Sequence, residues 1–372
     1  MKNIQISLPR HSYQYQVQIG SNILKQGLKE LLAHQDERKV FIVTNDLVDG
    51  LYPSLIEDSL PQGVESVKLV VPDGEQYKNL ETYSKVLDFL IHQGANRKSV
   101  MIAFGGGVIG DMTGFAAASY MRGIPYIQIP STLLSQVDSS IGGKTAVNHL
   151  QGKNVIGAFK QPLGTLIDVD LLSTLPKREF VAGYGELIKH GFISDAYLYQ
   201  TLKRNPIEPL RTNKDLLIEV ISRSCQVKAS VVEQDEREAF QRALLNFGHT
   251  IGHMIETFTE YKAYLHGEAI LAGMDFAAFW SLEQGLLNET DFQAVHQHLM
   301  DTEVVIKLDP VDQDTFVSLV GHDKKSSAQG VSFVAIHSIG RASIVEKVPI
   351  LGLWKTFEKY LSIDNALIQI KG

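Results

Sequence analysis

Along the first twenty residues, MKNIQISLPRHSYQYQVQIG, apolar and polar side chains alternate with the period of a strand pair. Up to about residue 165, short β-rich runs follow one another at Val40–Thr44, Ser66–Val71, Ser99–Phe104, Tyr126–Ile129 and Thr165–Val169. Most of them end in Gly, Pro, Asn or Asp. Between them lie amphipathic stretches such as Leu80–Gln93, where Leu80, Val86, Leu87 and Leu90 return at helical spacing. Strands separated by helices predict a parallel sheet covered by helices. After Pro176 the pattern changes, and Glu179–Lys203, Lys214–Asp235, Ala239–Thr259, Gly267–Glu283 and Asp291–Met300 all read as helices. A late strand pair is predicted at Val331–Ile336 and Ala342–Val345. The expected division is an α/β domain over residues 1–170 and a mainly α domain over 171–372, with the boundary near Asp168–Pro176. No repeat at a fixed period interrupts this plan.

Composition adds limits. The chain has 372 residues, 44% of them hydrophobic and 21% charged, which is enough for a large core and two domains. With 35 Lys+Arg against 42 Asp+Glu, its net charge of -7 predicts no general attraction to nucleic acid or an anionic membrane. Any bound anion must be caught by a local cluster of cations. The single cysteine, Cys225, excludes an internal disulfide and a thiolate-rich metal site, fits a reducing compartment and reads as a small buried apolar residue. The N-terminus has no long apolar run, so it reads as neither signal peptide nor membrane anchor, and a cytoplasmic protein is expected.

In the first half, the β-run up to Phe104 feeds Gly105-Gly106-Gly107-Val108-Ile109-Gly110-Asp111, a glycine turn opening a helix. Gly105, Gly107 and Gly110 satisfy G-x-G-x-x-G. Glycines there let the backbone approach a pyrophosphate, whose charge meets the first free N–H groups and the helix dipole. The turn follows a middle strand, however, and no acidic residue ends a strand about 20 residues on. Candidate ribose contacts close an earlier strand, at Asn45 and Asp46. Two more loops follow predicted strands: Asp73-Gly74-Glu75-Gln76-Tyr77-Lys78, and Pro130 with the hydroxyls of Ser131 and Thr132. In a parallel sheet such loops meet at one edge, where ligands bind.

Gly142-Gly143-Lys144-Thr145 has the end of a P-loop, but Asp138 occupies the place of its first glycine, so that motif is rejected. What remains is Lys144, Lys153 and Asn154 on glycine-flanked turns, a composition suited to anionic oxygens.

The second half carries a different chemistry. In Asn246-Phe247-Gly248-His249-Thr250-Ile251-Gly252-His253 the two histidines stand at i, i+4, with Asn246 one turn earlier on the same predicted helix face. Thr250 stands where H-E-x-x-H proteases carry a glutamate. Glu186 lies one turn before Lys189, and His266-Gly267-Glu268 opens the next long helix. One carboxylate and two imidazoles leave an open position on a Zn²⁺ ion, the pattern of a catalytic site, and a site without sulfur also accepts cobalt. Spacing alone leaves open which of His249, His253 and His266 are the ligands. Around them lie Lys189, Lys228, Arg242 and the pair Lys324 and Lys325. With Lys144 and Lys153 they exceed what an uncharged alcohol needs and suit a substrate with two anionic ends.

Together these motifs resemble the 3-dehydroquinate synthase family of sugar phosphate cyclases. They occur in that family's order over about residues 45 to 330. The resemblance implies a Rossmann-like nucleotide-binding domain followed by a mainly helical metal-binding domain. It implies catalytic NAD⁺, a Zn²⁺ or Co²⁺ ion held by Glu186, His249 and His266, and 3-deoxy-D-arabino-heptulosonate 7-phosphate as substrate. NAD⁺ contacts map onto Asp73 to Lys78, Gly107 to Asp111, Ser131, Thr132, Lys144 and Lys153, and onto Leu171, Leu172, Ser173 and Thr174. Substrate contacts map onto Asp138, Lys144, Asn154, Lys189, Lys228, Arg242, Asn246, His253 and Lys324 or Lys325. Arg122 resembles a residue that reaches the other subunit's site, which implies a homodimer. Departures are small: Ser131 stands where Thr is common, Ser135 where Ala is common, and His190 where Tyr is frequent. Competing expectations are another sugar phosphate cyclase, a metal-dependent polyol dehydrogenase, which normally starts its metal set with Asp, and a nucleotide-binding regulator without turnover.

Overall fold

A computed structural model describes residues 1–8, 13–35, 39–235, 241–321 and 330–371. The chain forms two compact units. One is Met1–Pro176 with Leu210–Glu233, and the other is Lys177–Pro209 with Gln234–Gly372.

The first unit is built on a seven-stranded sheet. Its order is Lys2–Leu8, Tyr13–Gly20, Gly164–Asp168, Tyr126–Pro130, Val100–Gly105, Lys39–Asn45 and Glu65–Val71. The first two strands pair antiparallel and the rest run parallel. Central strands of a parallel sheet are covered on both faces, so they are apolar without alternation. Val100–Gly105 is accordingly buried at every position. Val40, Ile42, Ile102 and Phe104 pack with Leu24 and Leu28 on one face, while Phe41, Val43 and Met101 meet Val86, Leu90 and Ala116 on the other.

Two expectations in this unit need correction. The stretch around Lys144 and Lys153 is an antiparallel hairpin of Lys144–His149 with Gly152–Phe159, not a pair of loops. Gly157 permits the pairing, since a Cβ there would lie 2.2 Å from the Thr145 carbonyl oxygen. The Lys214–Gln234 helix, read with the second half, gives most of its length to the first unit. Its Lys228 Nζ meets Asp138 Oδ1 at 2.5 Å, and its Cys225 Sγ lies 3.4 Å from the Gln136 carbonyl oxygen. Cys225 is fully buried.

The second unit is mainly helical. The stretch read as one helix over Glu179–Lys203 is two, Lys177–Ile193 and Ala196–Arg204, separated where Asp195 accepts from the Leu198 N–H at 3.0 Å and caps the second. The helix expected over Ala239–Thr259 is shorter. Ala239 falls outside the described residues, Gln241–Asn246 is a 3₁₀ turn, and the α-helix begins at His249 after Gly248 at φ +81°. Asn246 is therefore not on the helix that carries His249 and His253. The His266–Glu283 helix is buried nearly all round, as a helix apolar on every face must be. The late strand pair is present as Val331–Ser338 with Arg341–Val348. Among the described residues no helix is long and apolar enough to cross a membrane.

Candidate functional site

Three side chains of the second unit converge: Glu186 from the Lys177–Ile193 helix, and His249 and His266 from the first positions of their own helices. Glycines make the convergence possible. A Cβ on Gly267 would lie 1.8 Å from the Ala182 carbonyl oxygen, and one on Gly185 would lie 2.8 Å from the Gly267 oxygen, so two helices cross backbone on backbone beside Glu186. Gly273 meets the Gly248 oxygen at 2.0 Å in the same sense, which brings the His249 helix against the His266 helix. Side chains at these positions would force the ligands apart.

Within the cluster, Glu186 Oε1 lies 3.7 Å from His249 Nε2 and 3.7 Å from His266 Nε2. That is too long for hydrogen bonds. Two ligands on one zinc ion at the tetrahedral angle sit about 3.3 Å apart, so the spacing is a few tenths of an ångström wider than a closed shell. Lys189 Nζ takes the other carboxylate oxygen, Oε2. Among the described residues, Oε1 is left buried without a hydrogen-bond partner. Such a group is costly unless a ligand meets it, and a divalent cation does. Outside the cluster, His249 Nδ1 lies 3.2 Å from the Phe247 carbonyl oxygen and His266 Nδ1 lies 3.2 Å from Glu256 Oε2. Each ring can donate from Nδ1 and keep its Nε2 lone pair for the ion.

Electrostatics agree with this arrangement. Burial opposes the charge on Glu186, but Lys189 and the two histidines hold its carboxyl well below the usual range. Burial and the Lys189 ammonium push His249 far down, so it is neutral. His266 is also opposed by burial, yet the carboxylates of Glu186 and Glu256 lift it to about 10. A proton held so firmly by two carboxylates marks a place where a cation is favoured.

Lys189 and Arg242 are almost fully buried, and the Arg242 backbone N–H donates to Asp235 Oδ2 at 3.2 Å. His253 is exposed, one helical turn past His249, and groups with Glu256 and His266 rather than with Glu186. Lys324 and Lys325 lie outside the described residues. Arg178 went unnoticed in the sequence. It grips Glu268 with two nitrogens at 2.7 and 2.8 Å, while Glu268 accepts the Leu265 N–H at 2.8 Å and so caps the helix that His266 opens. Glu256 was also missed, although it stands one turn past His253.

In the first unit the strand-end loops gather at one sheet edge. Asn45 Nδ2 donates to Asp73 Oδ1 at 2.5 Å, and Asp46 Oδ1 accepts the Asp73 N–H at 3.0 Å. Burial and the nearby Asp46 raise the Asp73 carboxyl. Lys78 donates to Asn154 Oδ1 at 2.5 Å and pairs with Asp111 Oδ2 at 2.6 Å. The Gly107–Ser119 helix starts with no side chain capping it, and a Cβ on Gly106 would come within 3.3 Å of Thr132. A helix N-terminus behind bare glycines fits a dinucleotide pyrophosphate.

Not every expected residue offers a side chain. Ile109, Leu171 and Leu172 are buried in the core, which leaves their main-chain atoms for a ligand, whereas Ser173 and Thr174 are exposed. Thr174 Oγ1 lies 2.8 Å from the Tyr52 hydroxyl, and Thr132 Oγ1 lies 2.8 Å from Ser135 Oγ. Asp138 sits in a π-helical turn over Ser135–Ser139, a geometry common at functional sites. Glu75 binds Asn148, Lys144 is exposed and Lys153 is half-buried. Met121 and Arg122 both take positive φ, at +47° and +69°, in an exposed turn.

Comparison with known proteins decides the family. The pattern described as 3-dehydroquinate synthase N-terminal matches residues 68–182, and the one described as 3-dehydroquinate synthase C-terminal matches residues 183–326. A 3-dehydroquinate synthase of Nitrosospira multiformis is 45% identical over 336 residues, covering 90% of this chain and 92% of its own. The chain belongs to the 3-dehydroquinate synthase family. A further synthase, from Thermodesulfovibrio yellowstonii, is 45% identical over 92% of this chain and 96% of its own. Among solved structures, a 2-deoxy-scyllo-inosose synthase complexed with carbaglucose-6-phosphate, NAD⁺ and Co²⁺ is 26% identical. It has a TM-score of 0.83 and covers 93% of this chain and 95% of its own. A 2-epi-5-epi-valiolone synthase from Streptomyces hygroscopicus subsp. jinggangensis 5008, with NAD⁺ and Zn²⁺ bound, is 27% identical with a TM-score of 0.84, covering 93% of this chain and 96% of its own. A glycerol dehydrogenase of Schizosaccharomyces pombe, 16% identical with a TM-score of 0.65 and covering 92% of this chain and 88% of its own, shares the fold alone. Relatives of the synthase family thus carry both cofactors for which this chain has fitting residues.

Proposed function

We propose that this chain is a phosphate-eliminating lyase that converts 3-deoxy-D-arabino-heptulosonate 7-phosphate to 3-dehydroquinate and inorganic phosphate, a step of the shikimate pathway to aromatic amino acids. The observation that carries the reading is the buried Glu186 Oε1, without a hydrogen bond among the described residues and facing two imidazole nitrogens, in a member of the synthase family. Glu186, His249 and His266 would hold the ion. The dinucleotide would lie on the glycine turn of Gly107 to Asp111, with Asn45, Asp46, the Asp73 to Lys78 loop, Ser131, Thr132, Lys144, Lys153 and the main chain of Leu171 to Thr174 around it.

Bound there, NAD⁺ would supply reversible hydride transfer at C5, and a divalent ion, Zn²⁺ or Co²⁺, held by Glu186, His249 and His266 would supply Lewis-acid polarisation of the substrate's hydroxyls. The protein's part is chiefly positioning. Lys189, Lys228, Arg242, Asn246, His253 and Lys324 or Lys325 would hold the phosphate and carboxylate in the reactive conformer, with Asp138 and Asn154 as further substrate contacts. The ketone at C5 acidifies C6, and the substrate's own phosphate can accept that proton, so no dedicated strong base is required. Ring opening and an intramolecular aldol closure complete the sequence.

A homodimer with Arg122 reaching the partner's site and a cytoplasmic location belong to the same reading. Its test is a phosphate-release assay with the heptulosonate phosphate, catalytic NAD⁺ and added Zn²⁺. Phosphate without net NADH supports the reading. Stoichiometric NADH from glycerol with no phosphate release overturns it in favour of a polyol dehydrogenase, and NAD⁺ binding without turnover overturns it in favour of a regulator.

A further inference from the structure

Glu256 has no part in the reaction just described. It is only 5% exposed, on the His249–Phe258 helix, and its Oε2 lies 3.2 Å from His266 Nδ1. A carboxylate buried there is costly unless its charge is answered. Beside the cluster it has two candidate roles. His253, Glu256 and His266 bring their ligand atoms within 4.8 Å of one another, as an outer cation site would need. Alternatively, Glu256 serves the inner cluster through the ring of His266.

The geometry favours the second. A separation of 3.2 Å is that of an N–H···O hydrogen bond. An imidazole that gives its Nδ1 proton to Glu256 has its lone pair on Nε2, the atom 3.7 Å from Glu186 Oε1. An ion in the outer group would need the Nδ1 lone pair and would take His266 out of the inner one. The two inner histidines are also unequal. Among the described residues, His249 Nδ1 faces the neutral Phe247 carbonyl at 3.2 Å, whereas His266 Nδ1 faces a full negative charge. A charged acceptor raises the basicity of the ring as a ligand. Glu186 and Glu256 together also match the charge of a divalent ion.

Resting on the metal reading above, we propose that Glu256 is a positioning residue that fixes the tautomer and orientation of His266 and strengthens its bond to the inner ion, without itself binding metal. The test uses the full chain, stripped of metal and titrated with Zn²⁺ against a chelator of known affinity, in the absence of substrate. The wild type should bind one ion. E256Q keeps the shape of the side chain and removes its charge, so it should bind that ion about 10- to 100-fold more weakly, with E256D recovering part of the loss. In an H266A background, E256Q should add nothing further, since the effect runs through that ring. The Co²⁺-loaded E256Q protein should also show a shifted visible absorption band.

Wild-type affinity in E256Q would overturn the proposal, as would independent, multiplying effects of E256Q and H266A. Two ions on the wild type, one of them lost in E256Q, would overturn it in favour of the outer cation site. A wild type that binds no divalent ion defeats the metal reading itself, a separate result. Thermal melting of the metal-free variants shows whether E256Q is folded, and an unfolded E256Q moves the decision to the E256D arm, where wild-type affinity overturns the proposal.

Discussion

Two histidines on the Glu289–Met300 helix answer pH in opposite directions. His296 Nδ1 lies 2.8 Å from Asp275 Oδ1, and that carboxylate raises its pKa. Its stabilising contribution is full below the unfolded value near 6.5 and is lost as pH rises through the raised value. His298, buried with Nε2 2.7 Å from the Tyr184 hydroxyl, is pushed down to about 4 by burial. Its contribution is present above the unfolded value and is lost as pH falls from about 6.5 toward 4, up to about 3 kcal/mol in all. His298→Phe should therefore flatten the acid limb of a stability–pH curve, while His296→Phe should flatten the alkaline one; chemical denaturation across pH 4–9 measures both. At the metal cluster, His249→Ala should lose metal and activity together, whereas Arg242→Ala should lose activity and keep its ion. Metal analysis beside phosphate release checks the pair. Glu186, His249 and His266 were legible as a chemical type, one carboxylate with imidazoles. Spacing alone leaves open which of His249, His253 and His266 join Glu186, because it does not tell which way a ring faces. Glu256 was hidden for the same reason: its significance lies in the His266 ring, ten residues away in sequence.

The helices and parallel strands were legible from their apolar periods, since a covered strand and a buried helix advertise themselves. The breaks were not. Asp195 ends one helix by capping another, and Gly248 at φ +81° stops a helical pattern that runs straight through it. The Lys144–Phe159 hairpin reads as loops because Gly152 and Gly157 look like turns, whereas Gly157 in fact allows close strand pairing. Glycine at the helix crossings makes a prediction. Gly267→Ala and Gly273→Ala place a methyl 1.8 and 2.0 Å from a carbonyl oxygen. Each should cost about 1–3 kcal/mol or more and weaken metal binding, read by thermal melting and by Zn²⁺ titration. Gly50→Ala is the control. Nothing lies within 4 Å of its Cβ and its φ is negative, so it should stabilise the chain by roughly 0.4–1 kcal/mol.

For the molecule as a whole, bound ions and nucleotides are part of the stability. A divalent ion at 1,000 times its dissociation constant adds about 4 kcal/mol to the state that binds it. Stripping the chain with a chelator should therefore lower its melting temperature, and Zn²⁺ should restore it; an unchanged melt in calorimetry would contradict a site made by Glu186, His249 and His266. The division into an α/β part and a helical part followed from the change of pattern after Pro176. The return of residues 210–233 to the first part did not, because Lys228 and Cys225 reveal their partners only in three dimensions. That return has a consequence for how the chain is made. A ribosome delivers residues in order, at about 5–20 per second, and domains generally fold as they emerge. Here the sheet is complete at Asp168, yet the helix that supplies Lys228 to Asp138 leaves the exit tunnel only after the Glu186 segment has passed. The α/β unit must wait, unfinished, while Glu186 is already outside.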